Sequence, residues 1–108
     1  MAITPQPLFQ ITVPTTVAYQ LHQPTGTMRL ESIIFLNRDV AARTISLYHD
    51  IDGAEFVDGT LILKDQSIAA GDRYVFSEPL LLDANGSLGI EVETVDVINV
   101  VGYGWADI

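Results

Sequence analysis

Four carboxylates fall close together at Asp50, Asp52, Glu55 and Asp58, within the stretch HDIDGAEFVDG. Carboxylate oxygens grouped in this way are hard ligands suited to calcium. Their order departs from the helix-loop-helix calcium loop, in which alternating acids precede a glycine and a glutamate closes the ring. Asp52-Gly53 and Asp58-Gly59 are also turn dipeptides, and two solvated turns account for the same residues. The four acids are therefore weak metal candidates. His22 and His49 are the two histidines and lie far apart in the chain. They specify no zinc site, and neither has the partner pattern of a general base.

Glu91 and Glu93 sit on one strand face, as the paired carboxylates of a glycoside hydrolase would. Outer faces of strands carry many solvated pairs of this kind. No nucleophile elbow, phosphate loop or dinucleotide fingerprint is present. The chain also has no cysteine, which removes disulfides, thiol chemistry and zinc–thiolate sites. The residues thus assign no catalytic group and call for no cofactor. Tyr103 and Trp105, with Tyr19, Tyr48 and Tyr74, could form a platform for a sugar ring. Aromatics at strand ends serve equally well as core or interface residues.

The charge is as informative as the motifs. Fourteen acids against five bases give a net charge of −9. Nucleic-acid binding by counterion release needs a basic surface, so nucleic acid is not an expected partner. Attachment to anionic lipid is disfavoured for the same reason. No apolar run is long enough for a membrane-spanning helix, and MAITPQPLFQ lacks the charge and apolar run of a signal peptide. An acidic surface keeps a particle soluble and separate, or else meets a basic partner or a divalent cation.

The elements that would position these residues are strands. Met28 to Asp50 reads as two of them, Arg29–Asn37 and Arg43–His49, joined by a short polar loop. In the second, Ile45 and Leu47 face one way and Thr44, Ser46 and Tyr48 the other, a period of two that buries one face. The sequence predicts this pair at the centre of an antiparallel sheet. The connector suits a hairpin or a short crossover between sheets, with a single helical turn at Val40–Arg43. Further strands are predicted at Leu8–Val13, Val17–Leu21, Thr60–Lys64, Arg73–Ser77, Leu80–Leu82, Ser87–Thr94 and Val95–Trp105. Residues 65–71 read as a loop. Met1 to Pro7 reads as an extended arm, because proline removes a ladder donor.

About eight strands with turn signals every ten residues or so give an all-β antiparallel sandwich, jelly-roll or immunoglobulin-like. The whole of residues 8–108 forms that one domain. Both faces of the last strand are apolar, so one of them is free to pack on a neighbour.

Three segments carry a resemblance: Leu36-Asn37 with Ala41-Ala42-Arg43-Thr44-Ile45-Ser46-Leu47-Tyr48; Leu63 to Asp72, LKDQSIAAGD; and Glu78 to Leu88, EPLLLDANGSL. In this order they resemble small β-sandwich structural proteins of tailed bacteriophages, over about residues 28 to 102. The resemblance implies a non-enzymatic virion protein, made in the host cytoplasm, that decorates or cements the capsid. It implies the major capsid protein or other virion proteins as partners, and a homo-oligomer, with a trimer favoured. The alternative is a carbohydrate- or receptor-binding module on the tail, neck or a fibre. The expected contact residues are Ile3, Pro5, Pro7 and Phe9 in the arm, and Tyr103 and Trp105 at the end of the last strand.

Overall fold

A computed structural model of the chain describes residues 6–106. They form nine strands and one short 3-10 turn. The strands are β1 (Gln6–Thr12), β2 (Tyr19–His22), β3 (Met28–Asn37), β4 (Arg43–Asp50), β5 (Leu61–Ile68), β6 (Arg73–Phe76), β7 (Leu80–Leu82), β8 (Ser87–Val92) and β9 (Ile98–Ala106), with the 3-10 turn at Asp58–Thr60 before β5. They make two antiparallel sheets. The first runs β1-β9-β3-β6, with β7 pairing the other end of β3; the second runs β2-β8-β4-β5.

The alternation in the sequence sets the faces. Leu30, Ile33, Phe35, Ile98 and Val100 of the first sheet and Ile45, Leu47, Leu88 and Ile90 of the second are all but fully buried in one shared core. Each such side chain contributes roughly 1.5–3 kcal/mol on leaving water. The chain is thus all-β and sandwich-like, with two sheets facing each other across that core.

The predicted central pair does not exist as a pair. β3 and β4 are strong strands, but they lie in different sheets, and the connector is a crossover with a bend at residues 39–41 in place of a helical turn. Asn37 explains why. It is completely buried. Its Nδ2 donates to the Ala41 and Ile68 carbonyls at 2.9 and 3.0 Å, and its Oδ1 accepts from the Asp39 N–H at 2.9 Å. The amide turns the chain out of the first sheet and ties it to the end of β5 in the second. A buried amide with all its groups paired specifies one geometry, because leaving any of them unmet costs about 1–3 kcal/mol.

β5 runs on through residues read as a loop. It continues to Ile68 by way of a bulge at Asp65, which takes φ +50°. The Ser46 hydroxyl accepts its N–H at 3.0 Å, so the extra residue is hydrogen-bonded in place of being looped out. At the other end, β1 includes Gln6 and Pro7, which the sequence assigns to the arm. Proline is tolerated there because β1 is an edge strand.

Candidate functional site

The outward side of the first sheet is unusual. Registration of Gln10 with Val101, Val101 with Ile34, and Ile34 with Val75 builds one cross-strand row over four strands. Three of its four members are aliphatic. The next row holds Thr12, Asn99, Leu36 and Arg73. Toward the other end come Tyr103 opposite Ser32, and then Trp105, Arg29 and Leu81. Leu36, Val75 and Leu81 are 36%, 46% and 64% exposed. A shallow depression of about 260 Å³ is lined by Gln10, Ile34, Leu36, Arg73, Asn99 and Val101.

Trp105 and Tyr103 therefore point away from the core, each half-buried by its neighbours. The alternation of β9 explains this: Ile98, Val100, Gly102 and Gly104 take the inner side. A side chain at Gly102 would strike the Phe9 ring, and one at Gly104 the Arg29 carbonyl. The indole N–H donates to Glu31 Oε1 at 3.1 Å, and the same carboxylate meets Arg29 Nε at 2.9 Å. Glu31 thus orients the ring. Phe9 goes the other way. It faces inward and stacks on His22, ring centroids 5.2 Å apart. Pro7 is exposed on β1, and Ile3 and Pro5 lie outside the described residues. The two aromatics of β9 thus share a face with each other and not with Phe9.

The acidic stretch folds onto the outward side of the second sheet. Phe56 lies over Gly89, where a Cβ would come within 2.6 Å of its ring, and its centroid is 5.9 Å from that of Tyr48. Asp50, at the end of β4, is buried. Its carboxylate accepts the Glu55 N–H at 2.8 Å and the Asp52 N–H at 3.2 Å. Those two bonds, the Glu55 one first, hold its pKa below the usual carboxylate range. Asp52 is pushed upward, chiefly by its hydrogen bond to the Asp50 carboxylate and by repulsion from that charge. Glu55 enters this knot through its backbone, and Asp58 opens the 3-10 turn. Among the described residues no group of three or more His, Asp or Glu side chains is placed to hold a metal.

Glu91 and Glu93 are likewise engaged. Tyr48 donates its hydroxyl to Glu91 Oε1 at 2.6 Å, and the Thr44 N–H donates to Glu93 Oε1 at 2.9 Å. The Glu91 bond first, then burial and the nearby acids, pushes the tyrosine up to about 12. Thr44, Ser46, Asp65, Glu91 and Glu93 line a polar dent of about 180 Å³.

His22 and His49 both register with Leu88, so they flank it in one row on the inner side of the second sheet. Burial lowers both pKa values, slightly opposed at His49 by the Asp50 charge. His49 Nε2 has no hydrogen-bond partner among the described residues.

Ile34, Leu36, Val75, Leu81 and Val101 were not singled out by motif. The signal that could have found them is loss of alternation: Ile33-Ile34-Phe35-Leu36 and Leu80-Leu81-Leu82 are apolar on both faces. Comparison with family models, curated proteins and solved structures finds no match for this chain.

Proposed function

We propose that this protein is a non-catalytic assembly component, a virion protein of the capsid cement or decoration kind, built on a jelly roll. The single observation that carries the reading is the apolar, aromatic-ended outer face of the first sheet. Contiguous apolar patches on monomers are rarely large, and those rimmed by polar groups mark interaction sites. The fold reading follows from strand order. We take β6 and β7 as one strand interrupted at Pro79, which leaves eight strands in the orders β1-β9-β3-β6 and β2-β8-β4-β5. Those orders support a double-sheet jelly roll, an architecture used by viral capsid and lectin domains. Fold does not decide among those uses; the surface and the likeness to phage structural proteins favour the first.

The mechanism is multivalent clamping. Each copy contacts the shell weakly, and many copies bridge neighbouring capsid subunits. Particles purified with and without this protein test it. Stripped particles should lose resistance to heat, and adding the protein back should restore it; particles equally stable in both states would remove the cement role.

A second reading has its own observation. Trp105, oriented by Glu31 and next to Tyr103 and Arg29, is a set of groups that suits a sugar ring. A glycan array discriminates, with no binding expected on the first reading.

A further inference from the structure

We propose that the outer face of the β1-β9-β3-β6/β7 sheet is a self-association surface on which a second copy of this chain packs face to face about a two-fold axis. The proposal rests on the assembly reading and names the first partner on that face.

Charge selects the occupant. At a net charge of −9, two copies repel wherever carboxylates meet. The outward residues of this sheet carry Arg29, Arg73 and Glu31, and the central row Gln10-Val101-Ile34-Val75 carries no charge at all. The outer side of the other sheet carries Asp50, Asp65 and Glu91, with Glu55 and Asp58 in the segment over it. On the first sheet the one such acid among the described residues, Glu31, is paired with Arg29 and the Trp105 indole, so two acidic copies meet there with the least apposition of unpaired carboxylates.

The sheet edges are protected, which leaves the face. β1 has Pro7 and a bulge beside it. β5 has Lys64 and a bulge. β2 is four residues long with a register shift, and the β6/β7 edge is broken between Phe76 and Leu80. Short, bulged, proline- or lysine-bearing edges resist strand addition.

Geometry sets the strength. Four strands ~4.8 Å apart, with the ten-residue β3 rising ~3.4 Å per residue, present a face of ~600 Å². Two such faces bury ~1,200 Å² together, the low end of specific interfaces. An isologous contact is self-complementary, and an aliphatic row on a two-fold axis meets its own equivalents. The dimer is therefore weak, with a dissociation constant on the order of 10 μM.

Sedimentation equilibrium on the purified chain, from about 1 to 500 μM, brackets that constant. The wild type should fit a monomer–dimer equilibrium. Val101→Glu, within the row, should weaken it by at least ~30-fold, and Val75→Lys, at the row's edge-strand end, by at least ~5-fold, as expected for a charge brought into the centre and into the margin of a contact. Val101 is half-buried and its variant is vulnerable to misfolding; Val75 is on an edge strand and 46% exposed, so its variant should keep the wild-type far-ultraviolet spectrum and melting curve. A wild type that stays monomeric throughout, a trimer, or a dimer indifferent to Val75→Lys would overturn the proposal. A monomer whose attachment to particles is lost on Val75→Lys would also overturn it, assigning the face to a different protein. A dimer that leaves particles unstabilised would sink the virion reading and leave this one standing.

Discussion

The two sheets share a core but treat their outward sides in opposite ways. The second sheet covers its own. The segment between β4 and β5 folds back, Phe56 seats over Gly89, and Asp50 collects the Glu55 and Asp52 N–H groups beneath it. What is left outside includes the acids Glu55 and Asp58 and the Tyr48–Glu91 pair, with Ile51 and Val57 of the covering segment exposed singly among them. The first sheet has a comparable strand area, yet Ile34, Leu36, Val75, Leu81 and Val101 stay on its outer side. The comparison teaches that exposure here is selective. A chain able to cover one sheet from within leaves the outer side of the other uncovered among the described residues.

Substitutions can break that contrast in stages. The largest effect is expected from Asn37→Ala, which should damage both sheets together. It strands the Ala41 and Ile68 carbonyls and the Asp39 N–H and opens a cavity, a loss of about 3 kcal/mol. Urea unfolding would read it, and a loss below ~1 kcal/mol would mean that the amide is not what sets the crossover.

Phe56→Ala should act on the second sheet alone. Removing a half-buried ring that covers Gly89 and Tyr48 is expected to cost about 1.5 kcal/mol. Limited proteolysis should then cut within residues 51–60, while the self-association constant stays at its wild-type value. A change in that constant would show that the two outer faces are not independent.

The smallest effect is expected from mild acid. His22 and His49 have folded-state pKa values below the ordinary 6.5, so the unfolded chain binds protons more readily than the folded one. The stability they contribute is complete above pH 6.5 and is lost as pH falls through their folded values. The melting midpoint should decline by several degrees below pH 6.5, and His49→Gln should flatten the decline. A second loss belongs to Asp50, whose folded pKa lies below 3.8; its contribution is full above that value and disappears as pH drops through the folded one. A midpoint that is level from pH 7 to 5 would show that the histidines are solvated in the folded chain.

Much of the strand content was legible in the residues, because a two-residue period is local. Arg43 to His49 alternates, and β4 is a strand with Ile45 and Leu47 in the core. Ser87 to Thr94 alternates, and β8 puts Leu88, Ile90 and Val92 inside. Asp65 to Ile68 was missed because nothing local distinguishes a bulged strand from a loop; the Ser46 hydroxyl that holds it lies 19 residues away in the chain. The acids at 50–58 were legible as turn residues. That one of them organises the rest depends on burial at the end of β4. Trp105 and Tyr103 were legible as surface candidates, with Val101 on the same strand face; Ile34, Leu36, Val75 and Leu81 come from three other strands, and no single window contains them.

By itself the sequence determined that this chain is built from strands, that it carries no thiol, and that its net charge is strongly negative. Period, composition and charge are properties of neighbouring residues or simple sums, and they survive without knowledge of the fold. Tertiary structure alone decided that β3 and β4 part company, that the two histidines meet across Leu88, and that Val101, Ile34 and Val75 line up in one row. Cross-strand register joins residues separated by tens of positions, and it is fixed by how two whole sheets fill one core.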